Sequence, residues 1–319
     1  MPPRPHSTTL PASVASSPVA AGWAANLCLR FAADDRGTRL VHNRHGGPLR
    51  LLKALSSGDG RRLEAVIVHP PGGLVGGDTL AIELELGADS RVLATTPGQQ
   101  KWYRSETVAT ARTRIALQAN ACLEWLPQPA ILFDGARAQQ ALAITVDPTA
   151  TCVGWEVLVR GRAAMGERLV TGHVDQTLSI SVGRRLLWQE RLHAGAADRL
   201  FDSPLGWGGS RIAASVWCCA PALSADRLRD LRDSWRSLLS WRNPDGQPGG
   251  ADAAVRSCAT VGDGIVINGG ATIAAEGLLL AKLLADDSEQ MMSTCQRLWR
   301  AARVALEGDE GTAPRIWRT

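Results

Sequence analysis

Five carboxylates stand where carboxylates are costly. Glu124 lies in Leu123-Glu-Trp-Leu126, and Asp134 follows Ile131-Leu-Phe133. Glu156 lies in Gly154-Trp-Glu-Val-Leu158, and Glu167 closes Gly161-Arg-Ala-Ala-Met-Gly-Glu167. Asp78 closes His69-Pro-Pro-Gly-Gly-Leu-Val-Gly-Gly-Asp78. A carboxylate in an apolar or glycine-rich segment must be paired, ligated or protonated. Three chemistries follow. Arg137, Arg160 or Arg162 could neutralise these groups as internal ion pairs, which would make the chain a purely structural adaptor. Glu124 with Asp134 or Glu156 could act as the acid and base of a hydrolase on a β scaffold. Alternatively, the carboxylates line a path for cations, with His69 as a transient contact; a packed or capping role for His69 is the simpler account.

The metal-binding spacings argue about strength of binding. The chain has six His and seven Cys but no HxH, HExxH or paired CxxC. A permanent, tight metal site is therefore not expected. Nor do so few His allow a Ser/His/Asp or Cys/His constellation to be assembled. Oxygen ligands from scattered carboxylates and carbonyls would bind a divalent cation weakly and exchangeably.

Two further motifs are dense. In His69–Asp78 four Gly fall within seven residues, yet no Gly-Lys-Ser/Thr follows, and Asp78 would repel phosphate. The flanking patterns are strands, so no helix N-terminus is on offer to an anion. A tight turn with Gly supplying positive φ is the favoured reading. In Thr95–Ser105, Lys101 and Arg104 accompany Trp102 and Tyr103. That set could bind an anion or nucleic acid, but a strand end followed by a loop covering the sheet is the simpler account. Tyr103 is the chain's single Tyr, and its hydroxyl is expected to reach a partner.

Composition narrows the classes. Of 319 residues, 45% are hydrophobic and 21% charged, which is ordinary for a soluble globular protein. A net charge of +4, without any basic block, argues against nucleic acid as a partner. An odd number of Cys in a long chain argues for reduced, packed thiols in the cytosol. Pro11 and Pro18 interrupt the first apolar stretch, so residues 1–20 read as a mobile tail and not as a signal peptide. No apolar run is long enough for a transmembrane helix, and no membrane partner is expected. The expectation is a cytoplasmic protein with one β-rich domain over residues 21–319.

The elements that must position the carboxylates are mostly strands. Leu80, Ile82, Leu84 and Leu86 alternate with Glu83 and Glu85, and Leu142, Ile144 and Val146 repeat the pattern. Leu178 to Val182, Gly183-Arg184 and Leu186 to Leu192 read as a hairpin. No long amphipathic helix lies between residues 23 and 220, so no βαβ rhythm appears. This predicts a mainly β protein with layered, antiparallel sheets and no internal repeat of fixed period. The last third adds helices near 224–241 and 287–304. The first carries Leu228, Leu231, Trp235, Leu238 and Leu239 on one face after a Ser224 cap. The second follows Asp286 and Glu289, which resemble a capping box. Leu278 to Leu284 reads as a strand between them.

Taken in order, these segments resemble the UreD (UreH) family of urease accessory proteins. The resemblance covers about Trp23 to Thr319. It rests on Gly47-Pro-Leu49, His69–Asp78, Thr95–Ser105, Leu123–Ala136, Gly154–Glu156, Gly161–Glu167 and Pro314–Thr319. The chain departs from the family's pattern at Pro129, where an acidic residue is usual, and at Arg160-Gly161-Arg162, where the family has Leu-Gly-Arg. Residues 261–276 look like a local insertion. The resemblance implies a non-enzymatic maturation factor that binds UreF and, through it, the GTPase UreG, and docks on apo-urease. It implies no permanently bound cofactor, with nickel in transit to the urease active site. Asp78, Glu124, Asp134, Glu156, Glu167 and His69 are the candidate contacts on that path. Trp235, Leu238, Trp241, Trp299, Ile316 and Trp317 are the candidate UreF contacts, with a core role as the alternative for the tryptophans.

Overall fold

A computed structural model of the chain describes residues 22–56, 62–239 and 267–318. The expected tail, Trp241 and the first part of the 261–276 segment lie outside the described residues. The chain opens with a hairpin of β1 (Ala24–Asp34) and β2 (Gly37–Gly46), then a second of β3 (Arg50–Ser56) and β4 (Leu63–Val68). From β4 onward it winds as a coil. β5 (Gly73–Leu74), β8 (Gln100–Trp102) and β11 (Ala130–Leu132) stack as one short parallel ladder. β6 (Thr79–Leu86), β9 (Ala109–Leu117), β12 (Arg137–Val146) and β14 (His173–Val182) stack as a second. β7 (Arg91–Thr95), β10 (Cys122–Leu126) and β13 (Thr151–Arg160) extend a third from β4.

The coil ends in antiparallel additions. β15 (Arg185–Gly195) turns back on β14 at Gly183, which has φ +55°, as the hairpin reading predicts. β16 (Ile212–Cys219) pairs with β13. Helix α1 (Ala225–Leu239) precedes β17 (Asn268–Ala275) and β18 (Leu278–Ala285), and helix α2 (Ser288–Glu307) follows. Among the described residues the strands form a seven-stranded outer sheet, ordered β15-β14-β12-β9-β6-β1-β2, and an eleven-stranded central sheet. The backbone of the central sheet runs β17-β18-β16-β13-β10-β7-β4-β3. The described part of the 261–276 segment includes β17, an edge strand.

The expectation of an antiparallel body is corrected here: the inner ladders of both sheets are parallel. Parallel neighbours were expected to require helical crossovers. In this chain the crossover from one outer-sheet strand to the next is itself a strand of the central sheet. Each coil therefore costs about thirty residues, as register partners show: Ala109 with Ala138, Arg91 with Cys122, and Cys122 with Thr151. The period lives in the backbone, while the side chains on successive coils differ.

One corner of the coil is built alike on successive turns. Asp89 and Asn120 both take positive φ, at +60° and +57°, a conformation these two residue types tolerate. Asn120 Nδ2 donates to Asp89 Oδ1 at 3.1 Å, and the Asn120 N–H donates to Thr149 Oγ1 at 2.9 Å. The turns thus stack in the same direction as the strands.

Burial explains the two strand signatures. The outer sheet has one wet face, so β6 and β12 alternate in polarity. The inner strands of the central sheet are covered on both faces, so β13 is buried from Cys152 to Val159 and β18 reads as near-continuous Leu and Ala. One core, with Leu29, Leu84, Leu123, Ile144, Leu178 and Trp217, fills the space between the sheets. A second, with Trp155, Val157, Trp235, Leu298 and Trp299, fills the space between the central sheet and the helices. Ser224 caps α1 as expected, its Oγ accepting from the Arg227 N–H. The cap of α2 is Asp287, which accepts from the Gln290 N–H at 2.8 Å. Asp286, the expected cap, instead accepts from the Arg211 N–H at 2.9 Å and pins the approach to β16.

Gly154 shows how tightly β13 is enclosed. A methyl group there would lie 2.6 Å from the Trp217 ring and 2.7 Å from the Trp125 carbonyl oxygen. Gly154→Ala is expected to lose about 2 kcal/mol of stability by overpacking, read from the shift in urea midpoint. An unchanged midpoint would contradict this packing.

Candidate functional site

The candidate carboxylates fall at separate places. Asp78 ends the glycine-rich turn between β5 and β6. Its Oδ1 accepts from the Trp23 N–H at 2.8 Å and its Oδ2 from the Val75 N–H at 2.9 Å. This is a turn clamp that ties the start of β1 to the coil, in keeping with the structural reading of His69–Asp78. His69 is half-buried nearby; burial lowers its pKa and Asp78 opposes that.

Asp134 and Glu167 meet in the loops beyond β11 and β13. Asp134 Oδ1 accepts from the N–H groups of Thr171 and Val170 at 2.7 and 2.9 Å, and Arg104 pairs with its other oxygen. The Thr171 backbone bond leads in holding this carboxyl below its usual range. Glu167 pairs with Arg162 Nε at 2.5 Å, which lowers its pKa. Arg162 also lies over the Phe133 ring, whose centroid is 5.0 Å from that of Tyr103. The expected ion pair with Arg162 is thus present at Glu167.

Glu124 faces the helices and anchors a buried charge network. Arg303 Nη1 of α2 lies 2.7 Å from Glu124 Oε1, and Arg62 Nη1 lies 3.4 Å from it. Glu307 pairs with Arg62, and with Arg91 Nη1 at 2.7 Å. Cys122 Sγ donates to Glu307 Oε1 at 3.2 Å. Burial pushes the Glu124 carboxyl up, and the Arg62 guanidinium pulls it back. The network ties the C-terminal helix to the central sheet through partners from distant parts of the chain.

Glu156 is different: it faces the space between the sheets and has no guanidinium on it. Gln140 Nε2 of β12 donates to its Oε1 at 2.7 Å, and Gln176 Nε2 of β14 lies 3.4 Å from its Oε2. The register places Glu156 opposite Ser215, and Ser215 opposite Lys282. From the outer sheet, Glu190 of β15 completes the group. Its Oε1 accepts from Ser215 Oγ at 2.7 Å and its Oε2 from Trp188 Nε1 at 3.0 Å. Lys282 pairs with Glu190 and donates to Ser215 Oγ at 2.7 Å. Glu156, Gln176, Glu190, Ser215 and Lys282 line a cavity of about 360 Å³, with Trp207 and Leu158 among its apolar walls. Burial pushes the Glu156 carboxyl up from 4.5 to about 7; the Gln140 hydrogen bond works against this, and Glu190 adds to it.

This cavity sets a buried candidate carboxylate, Glu156, against open volume. It offers carboxylate, amide and hydroxyl oxygens, the donor set for a hard or borderline divalent cation that keeps part of its water. Among the described residues no group of three His, Cys, Asp or Glu side chains converges as a metal cage. The acid–base pairing of Glu124 with Glu156 is ruled out by the sheet. Glu124 pairs with Arg303 of α2 on the helix side, and Glu156 bonds Gln140 on the other.

The sequence reading missed Gln140, Gln176, Glu190, Ser215 and Lys282. A signal was available: each sits in the phase of its strand that is otherwise apolar. Gln140 lies in line with Ala138, Leu142 and Ile144, and Lys282 with Leu280 and Leu284.

Trp235, Trp299 and Trp317, among the candidate docking residues, pack within this chain. Trp235 is fully buried and donates from Nε1 to the Leu298 carbonyl at 3.0 Å. Trp299 is fully buried as well, which is the core alternative for both tryptophans. Trp317 sits 5.9 Å from Trp155 and 6.1 Å from Trp299, ring centre to ring centre, and donates to Thr95 Oγ1 at 2.9 Å. Leu238 and Ile316 are half-buried.

These features define a coiled, two-sheet β scaffold with a cavity between its sheets, where a few polar groups stand on a mainly apolar lining, and with its C-terminal segment folded onto its own core. The family model of the UreD urease accessory protein matches residues 24–318, and the chain belongs to that family. It is 36% identical to the urease accessory protein UreD of Pseudomonas aeruginosa over 297 residues, covering 93% of this chain and 95% of that protein. The UreD of Dechloromonas aromatica is 35% identical over 298 residues, with the same coverage. The UreD of Delftia acidovorans is 36% identical over 312 residues, covering 94% and 96%. No helix among the described residues is long and apolar enough to cross a membrane.

Two measurements test the contrast between Glu124 and Glu156. Arg303→Met leaves Glu124 buried with its nearer cation gone, and is expected to cost about 3–5 kcal/mol in urea unfolding. Adding Glu124→Gln should recover much of that loss, and no recovery would mean the network is not electrostatic. For Glu156, the raised pKa means that the folded protein keeps a proton the unfolded chain sheds. That contribution is fully present below about 4.5 and is lost as pH rises through about 7. Glu156→Gln should therefore gain on the parent between those values, by ~3 kcal/mol at most. Parallel stability curves for the two proteins across that window would refute the assignment.

Proposed function

We propose that this chain is a non-catalytic urease maturation factor of the cytoplasm, acting as scaffold and metal-transfer chaperone. In this reading it binds UreF and, through it, the GTPase UreG, and docks the assembly on apo-urease. Nickel is cargo, passed toward the urease active site, and no cofactor is held permanently. The observation that carries the reading is the cavity at Glu156. It presents oxygen donors to open volume, and its one buried carboxylate is held by amides that can turn toward a hydrated cation.

A borderline cation such as nickel binds tightly to Cys and His, so a transfer protein is served by weaker oxygen ligands. Asp78, Asp134 and Glu167 are engaged by backbone N–H groups or arginines, and Glu124 by two guanidiniums. Their contribution to a cation path would require those bonds to open. Glu156 is held by the Gln140 and Gln176 side-chain amides and not by guanidiniums or backbone N–H groups, and is the contact we assign first.

The test is co-expression of the cognate urease and its other accessory proteins with and without this chain, scoring nickel content and urea hydrolysis. Urease is expected to stay empty and inactive only when this chain is missing. Glu156→Gln, if folded, should lower the nickel content several-fold, whereas Asp78→Asn should act only through stability. Full loading of urease without this chain would overturn the reading.

A further inference from the structure

The cavity carries a cation of its own. Lys282 is the lysine in its lining, and it stands in a strand phase that is otherwise leucine. Its position is graded: the Lys282 side chain is 52% exposed, that of Glu190 25%, and Glu156 only 8% as a residue. Lys282 and Glu190 therefore stand at the mouth, with Ser215 bonded to both, and Glu156 lies deeper.

We propose that the Lys282 ammonium is a displaceable plug: it occupies Glu190 at the mouth of the cavity, and an entering divalent cation must exchange with it. This rests on the metal-transfer reading and adds to it how the cavity is kept from trapping its cargo. With the ammonium seated, Glu190 is neutralised and a dication gains little from the mouth. With the ammonium swung out on its flexible four-carbon stem, Glu190 and the Ser215 hydroxyl become available to the cation. When the cation leaves, the ammonium returns and restores the pairing, so binding stays weak in both directions. No covalent step is involved, and charge is exchanged, not created.

The experiment uses the full chain titrated with Ni2+ against a nickel-chelating dye, with urease activation measured in parallel. Lys282→Met removes the competing charge from a half-exposed position and should bind Ni2+ about tenfold more tightly. Lys282→Arg keeps the charge and should stay within about twofold of the parent. The double variant Lys282→Met with Glu190→Gln should lose the gain. A melting curve for each variant checks that folding is intact. If Lys282→Met binds Ni2+ no better than the parent while Glu156→Gln still impairs activation, the plug is wrong and the cavity route stands. If Glu156→Gln activates urease as well as the parent does, the cavity route falls and the plug with it. Tighter binding by Lys282→Met together with slower activation of urease is the result the proposal requires.

Discussion

The inner strands of the central sheet have no wet face, and most of the structure follows from that. Val92, Leu123, Trp217 and Leu280 point toward the outer sheet, while Leu93, Leu126, Trp155 and Leu279 point toward the helices. Parallel ladders are rarely left exposed, because their strands are apolar on both sides. Here the usual helical cover on one side is replaced by the outer sheet, threaded through the same coil. The other side needs a separate cover, and α1 and α2 supply it. The C-terminal segment completes it, with Trp317 filling the space beside Trp155 and Trp299. The helices cannot be regarded as an appendage: without them, an apolar sheet face that includes Trp155, Val157, Val216 and Leu279 would be open to water, at roughly 25 cal/mol for each Å² of apolar surface.

Such a body leaves few ways to hold a charge inside. Two solutions appear, one on each face of the central sheet. On the helix side, Glu124 is locked between Arg62 and Arg303, and Glu307 collects Arg62 and Arg91. A network of that kind stabilises little in net terms but penalises any arrangement that breaks it, so it fixes where α2 must sit. On the inner side, Glu156 has amides instead of guanidiniums, and the sheets stand apart at a cavity. The same residue type is fastened in one place and left available in the other. Partner chemistry makes that difference, since both carboxylates are buried.

How far the sequence carried this depended on the kind of signal. The strands of the outer sheet were legible because one wet face forces alternation, as in Leu80 to Leu86 and Leu142 to Val146. The hairpin at Gly183 and both C-terminal helices were legible through turn chemistry and apolar stripes. Parallel pairing was not, because the crossover element was sought among helices, and the crossover here is a strand of the facing sheet. The thirty-residue coil was hidden for a related reason: its period is carried by backbone register and by turn residues such as Asp89 and Asn120, not by repeated side chains. Glu156 was legible as a buried carboxylate, but its environment was not. Its partners come from β12, β14, β15, β16 and β18, and only the topology brings those strands together. The polar residues that break an apolar strand phase, Gln140, Gln176, Glu190, Ser215 and Lys282, were each visible singly. Their convergence required the register.

The position of the cavity also follows from the coil. Up to β12 each turn of the chain adds one strand to each sheet, and the two sheets stay packed by matched leucines and alanines. After β13 the rhythm changes: β14 returns on itself as β15, and the central sheet grows by β16, β18 and β17, which belong to no coil turn. The two sheets are then extended by unrelated segments, and their inner faces no longer match in volume. The gap falls where coil meets addition, bounded by β13 and β14 on one side and by β15, β16 and β18 on the other. Polar residues accumulate there because a cavity large enough for water removes the penalty for an unpaired amide or hydroxyl. Filling the gap with apolar side chains would give a tighter protein, and this fold offers positions to do so at Ser215 and Lys282 in the lining and at Gln140 beside it. That these positions hold an amide, a hydroxyl and an ammonium, set against Glu156 and Glu190, is the physical ground for treating the gap as a working part of the molecule and not as a packing fault.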